Sequence, residues 1–467
     1  MNTTNELGTE SVGKLLLKFS IPAIIGMLVN VLYSIVDRIF VGRGVGSLPL
    51  SGVAVTFPIT NVIMAFGMLA GIGAGAVISI KLGQNKKEEA EHILGNAFVL
   101  LVIFSVFITV VGILFLEPIL RILGASEDIM LYAKEFSFII FLGVIFQNIA
   151  FGLNSVIRSQ GDPKTAMVTM LLGAFINFIA NPLFIFVFKL GVRGSALSTV
   201  ISQMITATWT LWFFLKGKGL LKLKRENLKL DSHIIKQIIA IGMSPFVMQL
   251  AASVVTITFN KSLENYGGSI AIGAMALVTS INMLILMPIF GINQGVQPII
   301  GYNYGAKNYK RVKKALKYAV MGATAITVFG FIMVELFPVQ IIKVFNSDDV
   351  GLVDMGSRGL TIFLLMLPIV GFTIVGTNYF QAIAKAKLSM ILGLLRQVLF
   401  LIPLIIILPN YFKLDGIWMA QPIADFVTTV VTGVFVYREM KILTKSEQKD
   451  KEEEFTKGDL EAKVADI

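Results

Sequence analysis

Asp37 and Asp425 are the carboxylates of this chain that stand well inside long apolar runs. An acid in a membrane span costs about 2.5–3.5 kcal/mol on insertion scales, so such residues face a cavity or an ion pathway. Asp37 closes a stripe: Asn30, Tyr33, Ser34 and Asp37 follow the i, i+3, i+4, i+7 rule and share one helical face. Two later runs carry polar faces at matching depth, the i, i+4 pair Asn177 and Asn181 and the set Ser195, Ser198 and Ser202. Together these faces predict one water-accessible chamber around Asp37. Burial favours the neutral form of a carboxylate, so a group there can alternate between protonated and ionised forms. That is the chemistry needed to couple H⁺, or Na⁺ bound near Asp37, to the movement of a second solute. Arg38 is rotated about 100° from the stripe, which disfavours a simple Asp37–Arg38 pair at the interface.

Asp425 shares a face with Gln421, Thr428 and Thr432, as a structural hydrogen-bond hub or as a second cation site. Gln249, Ser253, Thr256 and Asn260 make a further stripe without charge. Other chemistries lack their parts. The chain has no Cys, and its two histidines, His92 and His233, lie in polar connecting stretches. Gly71-Ile72-Gly73-Ala74-Gly75 is followed by no Lys-Ser/Thr pair, so close helix packing explains it better than phosphate binding. No catalytic residue, metal cluster or cofactor is expected, and an ion gradient is the energy source that remains.

The elements that position these groups follow from composition. Of 467 residues, 55% are apolar and 15% charged, where a soluble domain carries roughly 25% charged. Mean hydropathy is +0.79. The fold class is therefore an all-α integral membrane protein. Runs long enough to cross a bilayer as helix number about twelve. They lie near 19–41, 50–76, 93–116, 131–157, 165–188, 194–215, 236–260, 269–297, 316–338, 359–383, 390–409 and 416–437.

Net charge is +11, which in a soluble protein would point to nucleic acid. With a cytoplasmic N-terminus, most of the 40 Lys and Arg fall in inside segments, above all 216–236 and 307–317. That is the positive-inside pattern. Both termini are then cytoplasmic, and the basic excess reflects topology in a plasma membrane and attraction to anionic lipid rather than nucleic acid. Only Arg38 falls well within a span on this map.

An internal repeat recurs at an offset of about 220 residues. Phe19-Ser20-Ile21-Pro22 pairs with Ile241-Gly242-Met243-Ser244-Pro245, and Gly71 and Gly75 pair with Gly291 and Gly295. Phe188-Lys189-Leu190 pairs with Phe412-Lys413-Leu414. Six spans per repeat is an even number, so the halves are parallel and related by a pseudo-twofold along the membrane normal. The expected organisation is a cytoplasmic N-terminus at 1–18, an N-lobe at 19–215, a linker at 216–235, a C-lobe at 236–438 and a charged, solvated tail at 439–467.

Three sets of residues carry a family likeness: Pro22 with Asp37; Leu153-Asn154-Ser155-Val156-Ile157-Arg158 with Gly161 and Pro163; and Gln294-Gly295 and Gln297-Pro298 followed by Gly301-Tyr302-Asn303-Tyr304-Gly305-Ala306. The chain resembles the multidrug and toxic compound extrusion (MATE) transporters, in particular their bacterial DinF/MepA-like branch. The resemblance implies a V-shaped pair of six-helix lobes that export cationic amphipathic drugs in exchange for H⁺ or Na⁺; the chain is expected to act as a monomer. It also implies that Asp37 is the first-helix acid and that Pro22 is the proline that bends this helix. Asn181 stands where many members have Asp, which leaves the N-lobe network with one ionisable group. A lipid-linked precursor flippase of the same superfamily is the alternative, and it predicts several Lys or Arg facing the central cavity.

Overall fold

The computed structural model describes residues 3–217, 219–345 and 349–465, without side chains for 3–5, 33, 34, 38, 39, 43, 47 and 450–465. In hydrocarbon every backbone N–H and C=O must be paired within its own segment, so apolar runs of this length close into helices. Among the described residues there is no strand. Span one is Val12–Val45, unbroken through Pro22. Span two is Phe57–Gly83, led in by the short helix Ser47–Val55. Spans three and four are Lys87–Leu114 and Glu127–Ser159. Span five is Pro163–Pro182, continued by a π-helical turn, Leu183–Val187, and span six is Gly191–Leu215.

The second lobe repeats this plan. One helical stretch, Ser232–Gly305, breaks at Gly268 (φ 65°) into span seven, 232–267, and span eight, 269–305. Span nine is Tyr309–Leu336. Span ten is bent by 53° between Val350–Phe363 and Leu367–Ala382. Span eleven runs from Ala386–Leu394 through π-helical Leu395–Leu401 to Ile402–Ile407. A break at Lys413 (φ 51°) within Pro409–Ala465 opens span twelve.

Backbone conformation carries the repeat more clearly than side chains do. Gly46 and Gly268 have φ of 104° and 65°, Asn85 and Lys307 of 58° and 56°, and Lys189 and Lys413 of 52° and 51°. The left-handed region costs an L-residue about 1–2 kcal/mol. Finding lysine there at the same turn of both lobes means that the turn is set by the fold and not by local preference.

The lobes press together at the end of the bundle that carries Gly83 and Gly305. A Cβ on Gly83 would overlap the carbonyl oxygen of Tyr302, and one on Gly305 would overlap that of Ile80. About three to four turns further in along span two, a Cβ on Gly242 would meet the carbonyl of Leu69, and one on Gly73 that of Ile238. Spans two and eight thus cross backbone to backbone, with spans one and seven packed alongside. Gln249, from the uncharged stripe, donates to Asn61 Oδ1 across the same seam at 3.3 Å.

Both chain ends are more structured than expected. Within the segment expected to be a polar N-terminus, Thr3–Thr9 is helical and span one already begins at Val12. Leu7 is fully buried. Its carbonyl accepts from Asn303 Nδ2 and from Arg311 Nη2, both at 3.0 Å, and Arg311 Nη2 also reaches the Glu10 carbonyl at 2.6 Å. At the other end, the segment expected as a charged, solvated tail continues the helix of span twelve to Ala465, and most of 441–449 is exposed. Lys and Glu are good helix formers, and Lys313 of span nine pairs with Glu447 at 2.8 Å. The stretch after span six is likewise held. Glu91 takes an ion pair from Lys224 at 2.6 Å, which holds the Lys224 ammonium above the usual lysine pKa. Asn96 bridges the Lys229 carbonyl and the Asp231 N–H at 3.2 and 2.8 Å.

Candidate functional site

Three helices of the N-lobe meet at Asp37. Its Oδ1 accepts from Asn181 Nδ2 of span five and from Ser195 Oγ of span six, the latter at 3.4 Å. Asn181 and Ser195 are fully buried. Pro182 ends the regular helix directly after Asn181, and the π-helical turn that follows widens the backbone at this point. Such turns collect at functional sites because they re-aim side chains that a regular helix would stack. Among the described residues Asn181 Oδ1 has no hydrogen-bond partner, although it is buried beside the carboxylate.

Not every expected member joins. Asn177 is buried, but its Nδ2 donates to Thr199 at 3.3 Å. The hydroxyls of Ser198 and Ser202 turn back onto the carbonyls of Ser195 and Thr199, each at 2.8 Å. A helical hydroxyl has a backbone carbonyl within reach one turn back, so lying on the right face does not commit it to the chamber. The side chains of Tyr33, Ser34 and Arg38 lie outside the described residues.

Asn30 and Ser202 instead line a neighbouring cavity of about 270 Å³, walled mainly by the N-lobe and bordered by Gln294 of span eight. Met27, Met64, Met170 and Phe151 give it an apolar wall, and Gln147, Asn154, Gln203 and Gln294 give it amides. Arg158, 8% exposed, also faces it and donates to Asn154 Oδ1.

The map that left only Arg38 within the spans needs correcting. Arg158 is buried in the last turn of span four, and Arg396 lies inside span eleven. Arg396 Nε donates to Asp425 Oδ1 at 2.6 Å, and Gln421 Nε2 lies 3.1 and 3.0 Å from the two carboxylate oxygens. Asp425 is therefore ion-paired, a partner that the stripe Gln421, Asp425, Thr428 and Thr432 could not disclose.

Twelve spans in two repeated lobes, with one lobe holding a carboxylate among amides and hydroxyls beside an internal cavity, define a helical membrane transporter of the parallel-repeat class. A family model described as MatE matches residues 22–183 and 245–407, and the chain belongs to that family. Among similar proteins is one called multidrug export protein MepA in Staphylococcus saprophyticus, 28% identical over 91% of this chain and 94% of its own length. A protein of the same name in Staphylococcus aureus (strain MRSA252) is 27% identical over 91% and 93%. A solved structure described as the outward-facing conformation of a multidrug resistance MATE family transporter of the MOP superfamily superposes with a TM-score of 0.89. It is 25% identical and covers 94% of this chain and 98% of its own.

Proposed function

We propose that this protein is a secondary antiporter of the plasma membrane that exports cationic amphipathic compounds in exchange for H⁺ or Na⁺, with Asp37 as the coupling group. The observation that carries this is the convergence of Asn181 and Ser195 on one Asp37 oxygen from two other helices. The orphaned Asn181 Oδ1 supports it further. A proton on Asp37 supplies the donor that this oxygen lacks, and Na⁺ seated between the two side chains would be ligated by both, since hard cations take oxygen ligands. In either case loading changes what spans one and five exchange, and so alters how they pack. Pro22 leaves the Lys18 carbonyl without its helical donor, which gives span one a place to bend in response.

The cavity beside this site suits the cargo. Its methionines adapt to varied apolar shapes, and its amides orient polar groups. Arg158 orients a bound amphipathic cation with its charge turned away from the guanidinium. With both termini cytoplasmic, the seam at Gly83 and Gly305 closes the cytoplasmic side, and rocking the lobes apart there exposes the cavity to that face. A flippase for polyanionic lipid would need several unpaired cations facing the cavity. Among the described residues Arg158 is one, while Arg396 is engaged by Asp425.

The test is transport of a planar cationic dye such as ethidium by the purified chain in proteoliposomes. Flux against an imposed pH or Na⁺ gradient is expected to stop when an ionophore collapses that gradient. Equal flux with and without a gradient would refute antiport. A second expectation concerns Asn181→Asp. Two carboxylates in contact cannot both ionise freely, so this variant is expected to change the number of ions moved per dye, read from parallel ion and dye fluxes. An unchanged ratio would separate Asn181 from coupling.

A further inference from the structure

Among the described residues each lobe holds a carboxylate well inside its spans, Asp37 in span one and Asp425 in span twelve, on elements that the repeat does not pair, and the two have different partners. Span eleven is the repeat counterpart of span five, and both carry π-helical backbone: Leu183–Val187 after Asn181, and Leu395–Leu401 around Arg396. In each lobe this irregular span delivers a nitrogen donor to the acid. In the N-lobe the donor is the Asn181 amide, to Asp37. In the C-lobe it is the Arg396 guanidinium, to Asp425, which is 5% exposed. A guanidinium stays charged at every accessible pH, whereas an amide is neutral.

Among the described residues the other ion pairs made by the C-lobe stand near its ends, Lys385–Glu439 at 2.6 Å, Lys313–Glu447 at 2.8 Å and Arg358–Asp415 at 2.5 Å. Spans ten, eleven and twelve pack around Asp425, and among their described residues Arg396 is the charged group within ion-pair distance of it. A buried ion pair adds little net stability over apolar packing, so stability alone does not account for this one.

We propose that Arg396 is a tethered counter-cation. It occupies on Asp425 the place that an exchangeable H⁺ or Na⁺ would take, and so removes the C-lobe acid from ion exchange. The number of ions moved per cycle is then set by the N-lobe alone. This rests on the role of Asp37 given above, and the experiment separates the two.

Cation binding is counted on the purified full chain as ²²Na⁺ bound and as protons taken up or released per protein. Wild type is expected to show one exchanging group that disappears in Asp37→Asn. Arg396→Gln is expected to add a second, which persists in Arg396→Gln/Asp37→Asn and disappears in Arg396→Gln/Asp425→Asn. Arg396→Lys, which keeps a tethered charge, is expected to add none. If wild type and Asp37→Asn bind alike, the role of Asp37 fails, while the Arg396 result still stands or falls by itself. If Arg396→Gln folds and gains no group, the proposal is overturned. Should Arg396→Gln not fold, the charge-balanced Arg396→Gln/Asp425→Asn decides: an ion-to-dye ratio equal to wild type supports a non-exchanging pair, and a lower ratio overturns it.

Discussion

Asp37→Asn is expected to lower gradient-driven export of an organic cation by about ten- to a hundredfold. The figure follows from hydrogen bonds and ion contacts to a charged group being worth about 1.5–3 kcal/mol, with each 1.4 kcal/mol a factor of ten in affinity. The substitution keeps the volume of the side chain and an oxygen that Asn181 and Ser195 can still donate to. It removes only the capacity to carry a charge or a proton. Because Asp37 lies outside the cavity wall formed by Met27, Asn154 and Gln203, dye binding measured without a gradient is expected to change far less than transport. Loss of both together would make Asp37 a substrate ligand. Undiminished gradient-driven export would end its coupling role altogether.

The second large effect is expected at the seam between the lobes. Gly83→Val places a branched side chain on the Tyr302 carbonyl, and Gly305→Val does the same to Ile80. Overpacking costs about 1–3 kcal/mol, so each substitution should lower the closed-to-open ratio by about fivefold to a hundredfold. The chain has no Cys, so Glu88→Cys and Lys310→Cys, on exposed positions flanking the two glycines, can carry spin labels without background. Longer inter-label distances are expected in either valine variant. The double variant should add little beyond the first, because lobes already parted have no second clash to relieve; that coupling is the mark of a shared interface. An unchanged distance distribution would mean that the seam yields locally and does not govern the opening.

How far the sequence discloses this arrangement depends on the distance over which each feature is decided. Asn181 and Asp37 could be placed opposite each other because helical periodicity and span depth are both local quantities. Ser195 joined them for the same reason. Ser198 and Ser202 lay on the same face, yet their hydroxyls had a choice between chamber and backbone that periodicity does not settle. Arg396 escaped notice because one charge in an otherwise apolar run leaves the run intact, and its partner is 29 positions away. Glu91 and Asn96 escaped because what they hold, Lys222 to Asp231, is about 130 residues downstream. The halves themselves were legible from Gly71, Gly75, Gly291 and Gly295, since glycines that bring backbones together cannot be exchanged for other residues.

The buried Leu7 has a consequence for tempo. The segment before span one belongs by chain order to the first lobe, yet it is bolted to Asn303 and Arg311 of the second. A motion that pulls this segment off the second lobe exposes Leu7 and removes one acceptor from Asn303 Nδ2 and both carbonyl acceptors from Arg311 Nη2. None of these contacts touches the cavity or Asp37. Two relatives with identical interiors but different leading residues would therefore bind the same cargo with the same strength and still cycle at different speeds.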